Sequence, residues 1–219
     1  MTAIVYRTAE AINTAMARVY GHMAVAVLTS MFVSWFVGSN PEIYQFFFTG
    51  FLKWIVIFAP LVAIFGIGIA LNANPPKEIA LVMLHGFAAL MGLSFATIFV
   101  AYNLGSIVNA FMSGAVLFAI MSGYGYFTRQ SLDSLGKYLF VGLIAIVVAS
   151  VINIFVGSSL AQMVISAIAI LIFLGLTAYD TQKIREQLYD SDSGDVVEVT
   201  GALTLYLDFI NLFLSLLQL

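Results

Sequence analysis

The chain has 219 residues, of which 62% are apolar and 9% are charged, and its formal net charge is −3 at pH 7. Soluble domains average about 25% charged residues, so the composition excludes a soluble domain of useful size and indicates a protein that lies almost entirely in a lipid bilayer. The chain contains no cysteine, which excludes disulfides, thiolate catalysis and cysteine-based metal sites. The two histidines, His22 and His85, match no metal-ligand spacing and are predicted to pack inside or between helices. We therefore expect no bound cofactor and no nucleic-acid partner.

Seven segments are apolar over about the 20 residues that a bilayer crossing requires. The chain is therefore predicted to be all-α, with a single seven-helix transmembrane domain over residues 1–219. The first apolar run has no small-residue cleavage site, which indicates a retained helix rather than a signal peptide. A short cytoplasmic tail is predicted at 1–17, and an acidic cytoplasmic loop with solvated carboxylates at 182–198. The predicted spans are 19–38, 52–72, 78–99, 106–127, 137–157, 161–181 and 199–219.

The basic residues predict the orientation of these spans, because lysine and arginine accumulate in cytoplasmic segments. With the N-terminus in the cytoplasm, seven of the eight basic residues fall on the cytoplasmic side and only Lys53 falls outside. This arrangement places the C-terminus outside and the connection between the last two spans inside. The seven cytoplasmic residues are Arg7, Arg18, Lys77, Arg129, Lys137, Lys183 and Arg185.

Each of the last two spans contains one aspartate. Asp180 ends the run TAYD near the end of the sixth span, and Asp208 lies within the run LYLDF in the seventh. A carboxylate inside a membrane segment costs about 2.5–3.5 kcal/mol on insertion scales, so an intramembrane aspartate is a functional candidate by default. Because the two lie on consecutive antiparallel helices, we expect them to form a pair.

Asp208 belongs to a polar stripe on the last span. Residues at steps of three or four share one helical face, and the remaining faces of this span are apolar. On the sixth span, Thr177 lies one turn before Asp180. Such polar groups could also serve only to hold helices together, as serine, threonine and asparagine do in membranes. The stripe consists of Gly201, Thr204, Asp208, Asn211, Ser215 and Gln218.

Two carboxyl groups within hydrogen-bonding reach in a low dielectric cannot both ionise cheaply, so they share one proton and titrate as a pair. The shared proton would join the two helices, and its loss would make them repel each other or take up water. Carboxylate oxygens are also hard ligands that suit Ca²⁺. Asp180 and Asp208 are therefore predicted to sense pH and to bind Ca²⁺ transiently, while the acidic residues of 182–198 could collect cations at the entrance.

Two stretches resemble signatures of the transmembrane Bax inhibitor motif family, in its bacterial branch: GLTAYDTQK at 175–183 and GALTLYLDFINLF at 201–213. The resemblance extends over all seven spans. It implies two three-helix groups around a central C-terminal helix, a location in the bacterial inner membrane and a pH-sensitive leak of Ca²⁺. It also implies that the family's aspartate pair corresponds to Asp180 and Asp208.

The sequence departs from the family pattern in its second span. Some members carry a glutamate there, with an arginine cluster at its inner end, and the arginine can latch onto the aspartate of the sixth helix. The second span of this chain has no acidic residue, and its inner end reads NANPPK at 72–77. Lys77 is the only nearby substitute for the arginine, and its ammonium cannot reproduce a bidentate guanidinium. Lys77 is therefore the candidate latch.

Three other functions remain open from the sequence. A proton-coupled transporter would also use a buried carboxylate. A regulator of other membrane proteins would transport nothing itself, and its partners are unknown. An intramembrane aspartyl protease would use two carboxylates sharing a proton to activate water, but LYLD replaces the Gly-x-Gly-Asp of that class at Asp208 and no Pro-Ala-Leu follows. The chain is therefore not expected to be an enzyme.

Overall fold

The structure is a computed structural model that describes residues 8–190 and 194–219, without the side chain of Asp190. Every regular element within these residues is an α-helix. The helices are α1 (Ala9–Gly38), α2 (Pro41–Phe48), α3 (Leu52–Asn72), α4 (Lys77–Ser94), α5 (Ala96–Ala101), α6 (Leu104–Phe127), α7 (Asp133–Val156), α8 (Ser159–Asp190) and α9 (Gly194–Leu217).

Within the described residues, seven helical segments are long and apolar enough to cross a membrane. Six of them are α1, α3, α6, α7, α8 and α9, and α4 and α5 together form the third span, Lys77–Ala101. The predicted all-α class with seven spans is thus confirmed. The short helix α2 was not predicted. It begins at Pro41. Proline is well tolerated in the first turn of a helix, because the N–H that it lacks would have no partner within the helix there.

Several helices are longer than the apolar pattern indicates. α1 begins at Ala9, where the Thr8 hydroxyl accepts a hydrogen bond from Ala11 N, so the predicted tail 1–17 is helical from residue 9 onward and residues 1–7 lie outside the described residues. α8 continues to Asp190 and α9 begins at Gly194. The segment 182–198, predicted as a loop, is therefore helical on both sides of residues 191–193, which also lie outside the described residues.

The chain forms two compact units. Of the described residues, the first unit contains 8–104 and those within 188–206, and in it α1 packs against α4 and α5, and α3 packs against α4. Helices α1 and α4 approach closely at Gly92 of α4, where an added Cβ would lie 2.5 Å from the carbonyl oxygen of Ser30 in α1. Only glycine permits such a backbone approach.

The second unit consists of residues 105–187 and 207–219, and so contains most of α6, all of α7, most of α8 and the end of α9. The last span is the most buried of the seven, with 67% of its most apolar window buried, against at most 33% for the others. High burial explains how this helix tolerates polar residues that lipid would not. Its central place between two groups of three helices stays a prediction.

Candidate functional site

Helices α8 and α9 bring the two predicted aspartates together within the second unit. The side chains of Asp180 and Asp208 are close enough to influence each other's protonation. Because a carboxylate only accepts hydrogen bonds, a hydrogen bond between them would require that one of the two carboxyls carries a proton. Asp208 is buried, with 5% of its surface exposed. Among the described residues, its oxygen Oδ2 has no hydrogen-bond partner.

Close contacts with α6 hold the helical turn around Asp180. An added Cβ at Gly125 of α6 would clash with the carbonyl oxygen of Ala178, so the two backbones meet there. Three residues along α8 from Ala178, the Thr181 hydroxyl is hydrogen-bonded to Ser122 Oγ at 3.0 Å, again on α6. The turn that carries Asp180 is therefore fixed on both sides of the aspartate.

The connection between α6 and α7 is hydrogen-bonded to the turn of α8 that carries Asp180. Gln182 accepts a hydrogen bond from Leu132 N at 2.8 Å and donates one to the carbonyl of Gln130 at 2.9 Å. The Tyr179 ring lies against Gly136 of α7, where an added Cβ would be 2.5 Å from it. Asp180 thus lies on a frame built from α6, α7 and their connection, which restricts how its carboxyl can move.

Aromatic packing holds the part of α9 that carries Asp208. The Phe209 ring makes edge-to-face contacts with Phe111 and Phe118 of α6, with ring centroids 5.5 and 5.7 Å apart. Phe213, one turn later, contacts Phe111 in the same manner. These contacts fix the rotation of this part of α9, and Asp208 immediately precedes them.

The four residues predicted as a supporting polar face bond mainly within their own helices. Each donates to the carbonyl four residues earlier, at 2.7 Å from Thr177, 3.1 Å from Thr204, 2.8 Å from Asn211 and 2.7 Å from Ser215. The three hydroxyl donors are therefore satisfied without a partner from another helix, and the Asn211 amide makes one such bond. A role of these residues beside the pair stays a prediction.

A second group of charges, which we call the charged cluster, lies in the first unit and consists of Arg18, Lys77 and Glu198. Glu198 of α9 has no exposed surface. Arg18 Nε lies 3.1 and 3.0 Å from its two oxygens, and Arg18 Nη2 lies 2.7 Å from Oε1. Lys77 Nζ lies 2.9 Å from Oε2 and 3.3 Å from an oxygen of Asp195. The buried carboxylate thus has a cation on each side.

The charged cluster corrects the interpretation of 182–198 as a loop of solvated acids. Glu198 is buried, because cations from α1 and α4 replace the water that an isolated carboxylate would need. Asp195 is paired with Lys77 and remains exposed. The sequence contains a pattern that indicates the burial of Glu198. Ala202, Leu205 and Phe209 form an apolar stripe, and Glu198 lies on the same helical face, four residues before Ala202. Lys77 bonds to acidic residues of α9, and its role as a latch for Asp180 stays a prediction.

No group of three or more histidine, cysteine or acidic side chains that could hold a metal ion occurs in the part of the chain that the structure describes. Ca²⁺ takes six to eight oxygen ligands, so Asp180 and Asp208 alone would leave most positions to water. Transient binding of Ca²⁺ by Asp180 and Asp208 stays a prediction. His85 packs in the first unit with its Nδ1 buried and, among the described residues, without a hydrogen-bond partner.

Comparison with known proteins matches residues 12–219 to a family model described as "Inhibitor of apoptosis-promoting Bax1". The chain is 36% identical over 215 residues to the inner membrane protein YbhL of Escherichia coli K12, covering 94% of this chain and 91% of that protein. It is also 36% identical over 218 residues to the uncharacterized protein RP147 of Rickettsia prowazekii, with 95% and 89% covered. An uncharacterized protein of Deinococcus radiodurans is 33% identical over 215 residues, with 97% and 92% covered.

Proposed function

Because the chain belongs to the Bax inhibitor family of membrane proteins, we propose that it is a passive, pH-sensitive Ca²⁺ leak channel of the bacterial inner membrane, gated by Asp180 and Asp208. The observation that carries the proposal is the approach of these two carboxyls within an apolar helical unit. The inner-membrane location follows the name of the E. coli relative. The seven apolar spans support a function within the bilayer.

The gating step is the loss of the shared proton. While one proton is present, one carboxyl donates to the other, and α8 and α9 are joined at this level. When the proton leaves, two negative charges face each other in a medium where repulsion is strong. The carboxyls then separate, or take up water or a cation between them. The joined state is therefore favoured at low pH and weakens as the pH rises through the titration of the pair.

The same groups explain a preference for a divalent cation. A deprotonated pair presents two negative charges at one level of the membrane. A single Ca²⁺ ion neutralises both, whereas two monovalent cations would be needed. Because the protein supplies only two carboxylates there, most of the ion's hydration shell is retained and binding remains weak. Weak binding is what passage requires, since an ion that binds tightly does not leave.

Ca²⁺ flux into proteoliposomes, measured across a range of pH with the wild type, Asp180→Asn and Asp208→Asn, tests the proposal. An amide cannot titrate, so each substitution should flatten the dependence of flux on pH. Asp208→Asn should also lower the flux more, because Asp208 is the more buried of the two. The matched control is Asp133→Asn on α7, whose side chain is 56% exposed, and it should keep the wild-type profile.

Two outcomes would contradict the channel. A wild-type pH profile in both single variants would show that the pair does not gate, and an absence of Ca²⁺ flux in the wild type at every pH would remove the leak itself. A proton-coupled transporter would behave differently from both. It would accumulate Ca²⁺ against its gradient when only a pH gradient is applied, which a passive leak cannot do.

The proposed orientation has the N-terminus in the cytoplasm and the C-terminus outside. Since the chain contains no cysteine, single cysteines can be introduced at exposed positions on α8 and at the C-terminus. Gln187→Cys should react with a membrane-impermeant maleimide only from the cytoplasmic side, and Leu219→Cys only from outside. The reverse pattern would refute the orientation without affecting the role of the aspartate pair.

A further inference from the structure

The connection between α6 and α7, residues 128–132, lies in the second unit at a point where two membrane spans meet. The span of α6 ends at Phe127 and the span of α7 begins at Asp133, so the connection lies at one surface of the bilayer. Arg129 lies on the connection, and Lys137 lies about one turn inside α7. Long basic side chains near the ends of spans extend toward the headgroup region, so both cations are within reach of lipid headgroups.

Arg129 and Lys137 carry positive charges that no acidic side chain balances. Both residues are exposed, and among the described residues neither side chain has an ion pair or a hydrogen bond. The two exposed acids of the same unit already face a different cation, because Lys183 lies 3.8 Å from Asp133 and 3.9 Å from Glu186. Arg129 and Lys137 are therefore available to an anionic partner.

Exposed aromatic side chains flank the two cations. The Phe127 ring is 80% exposed, the Tyr138 ring 78% and the Tyr124 ring 49%. Tyrosine, with an apolar ring and a polar hydroxyl, is enriched at the level of the lipid headgroups. Rings and unbalanced cations side by side favour a partner that combines a negative charge with acyl chains over a soluble anion or an acidic protein segment.

We propose that Arg129 and Lys137 form a binding surface for the headgroups of anionic phospholipids, and that a bound lipid restrains the turn of α8 that carries Asp180. The occupant is a lipid whose phosphodiester gives it a net negative charge, such as phosphatidylglycerol. Lipid binding and local mobility carry this inference, so it does not depend on Ca²⁺ passage.

Arg129 is connected to the turn of α8 through the backbone of the connection. Gln182 accepts a hydrogen bond from Leu132 N at 2.8 Å and donates one to the carbonyl of Gln130 at 2.9 Å. Arg129 directly precedes Gln130, whose carbonyl is one of these two partners. A lipid that holds the Arg129 side chain therefore limits the movement of the backbone to which Gln182 is bonded.

Lys137 is connected to the same turn from the side of α7. It follows Gly136, where an added Cβ would lie 2.5 Å from the Tyr179 ring, and Tyr179 directly precedes Asp180. Successive positions of a helix point about 100° apart, so Gly136 faces α8 while the Lys137 side chain is exposed. The two cations thus belong to elements that pack against the turn of Asp180, and both remain accessible to lipid.

The test measures lipid binding beside the two cations in the full-length protein. Since the chain contains no cysteine, Ser134→Cys at an exposed position of α7 can carry a single fluorophore. Vesicles of phosphatidylcholine receive increasing fractions of phosphatidylglycerol or of phosphatidylcholine, each with a spin label close to the headgroup that quenches the fluorophore on contact. Half-maximal quenching should occur at a mole fraction several times lower for phosphatidylglycerol.

Charge variants assign this preference to the two cations. Arg129→Gln and Lys137→Gln should each weaken it about fivefold, the contribution of one basic residue near an anionic surface, and the double variant should lose most of it. Arg129→Lys and Lys137→Arg keep the charge and should keep the preference. The matched control is Lys53→Gln, which removes one positive charge from α3, where the ammonium lies over the Trp54 ring. It should leave the preference unchanged.

Three outcomes overturn the lipid surface. The first is equal quenching by the two lipids in the wild type. The second is an equal loss of preference in Lys53→Gln, which would reflect the net charge of the protein rather than Arg129 and Lys137. The third is competition by soluble glycerol phosphate in the aqueous phase, which would assign the two cations to a soluble phosphate compound.

Hydrogen exchange of backbone amides tests the restraint. The amide of Leu132, which is bonded to Gln182, should exchange more slowly in vesicles that contain phosphatidylglycerol than in pure phosphatidylcholine. This difference should disappear in the double variant, and equal exchange in both lipids overturns the restraint. A wild type that shows the lipid preference and the slower exchange but conducts no Ca²⁺ would retain the lipid surface and refute the channel, so the two failures are distinguishable.

Discussion

Glu198 and Asp208 are two buried acids on one helix with opposite surroundings. Glu198 has a guanidinium and an ammonium within 3.1 Å of its oxygens, whereas Asp208 has a second carboxyl beside it and an oxygen without a partner among the described residues. The first carboxylate has its charge balanced by the protein. The second is balanced only when a proton, or a cation from outside, is present.

This difference indicates how one helix can combine a fixed point with a responsive one. A buried carboxylate between two cations has partners in the protein itself, because arginine and lysine remain charged. A buried pair of like groups changes its interaction with every change in its proton content. The first half of α9 is therefore suited to anchoring and the second half to sensing.

The largest effect on stability is expected at the anchoring end. Glu198→Ala leaves Arg18 and Lys77 facing each other without the carboxylate between them, and breaking a buried ion pair costs about 3–5 kcal/mol. We expect the lower end of this range, because the Arg18 side chain is 48% exposed and water can compensate part of its charge. Equilibrium unfolding in mixed micelles measures the free energy of unfolding.

Two variants in the same assay sharpen the comparison. Asp195→Asn removes an exposed partner of Lys77 and should cost no more than about 0.5 kcal/mol. Asp208→Asn should change the free energy of unfolding by less than about 1 kcal/mol, because the amide can donate to Asp180 in place of the proton. If Asp208→Asn destabilises as much as Glu198→Ala, the distinction between an anchoring and a sensing acid is wrong.

The sequence was sufficient for the fold class, since apolar length located all seven spans. The intramembrane placement of Asp180 and Asp208 made both candidates, and their function as a pair stays a prediction. The polar stripe of α9 was equally visible, since it depends only on helical spacing. These features are encoded locally, within one helix at a time.

The charged cluster could not be predicted in the same way, because its members are far apart in the chain. Arg18 and Glu198 are separated by 180 residues. A hydropathy scale also assigns every charged residue to the aqueous side of the membrane boundary. The predicted last span therefore began at residue 199, one residue after the acid that anchors it. Whether a charge is buried depends on its partner, and the partner is known only from the fold.

The frame around Asp180 offers a second way to test the sensing end. Gly125→Ala would place a Cβ in a clash with the carbonyl oxygen of Ala178, so α6 and α8 must separate. Overpacking of this kind costs about 1–3 kcal/mol. Because Asp180 lies two residues from Ala178, the dependence of Ca²⁺ flux on pH should shift as well.

Gly123→Ala is the matched control on the same helix, because an added Cβ at Gly123 has no atom within 4 Å. It should leave both the free energy of unfolding and the pH profile close to the wild type. A stability loss in Gly125→Ala without any change of the pH profile would show that the frame supports the fold but does not position Asp180.

A smaller loss than at Glu198 is expected where the first half of α9 makes its second polar contact. Ser30 has one hydroxyl hydrogen and lies within reach of two carbonyl oxygens, at 2.7 Å from Ala88 and 3.1 Å from Ala26, so it donates there and accepts from the Tyr206 hydroxyl at 2.6 Å. Tyr206→Phe removes only this last bond. Ser30 remains satisfied, and the loss should be about 1 kcal/mol, in the range of hydrogen bonds between helices in membranes.

Ser30→Ala should cost more than Tyr206→Phe, because it leaves the buried Tyr206 hydroxyl without its acceptor, and an unsatisfied buried group costs about 1–3 kcal/mol. The double variant should lose less than the sum of the two, since the two side chains lose the same bond. Tyr138→Phe on α7, where the ring is 78% exposed, provides the control and should be neutral. Equal losses in Ser30→Ala and Tyr206→Phe, with full additivity in the double variant, would mean that this contact does not hold α9, and anchoring would then depend on the charged cluster alone.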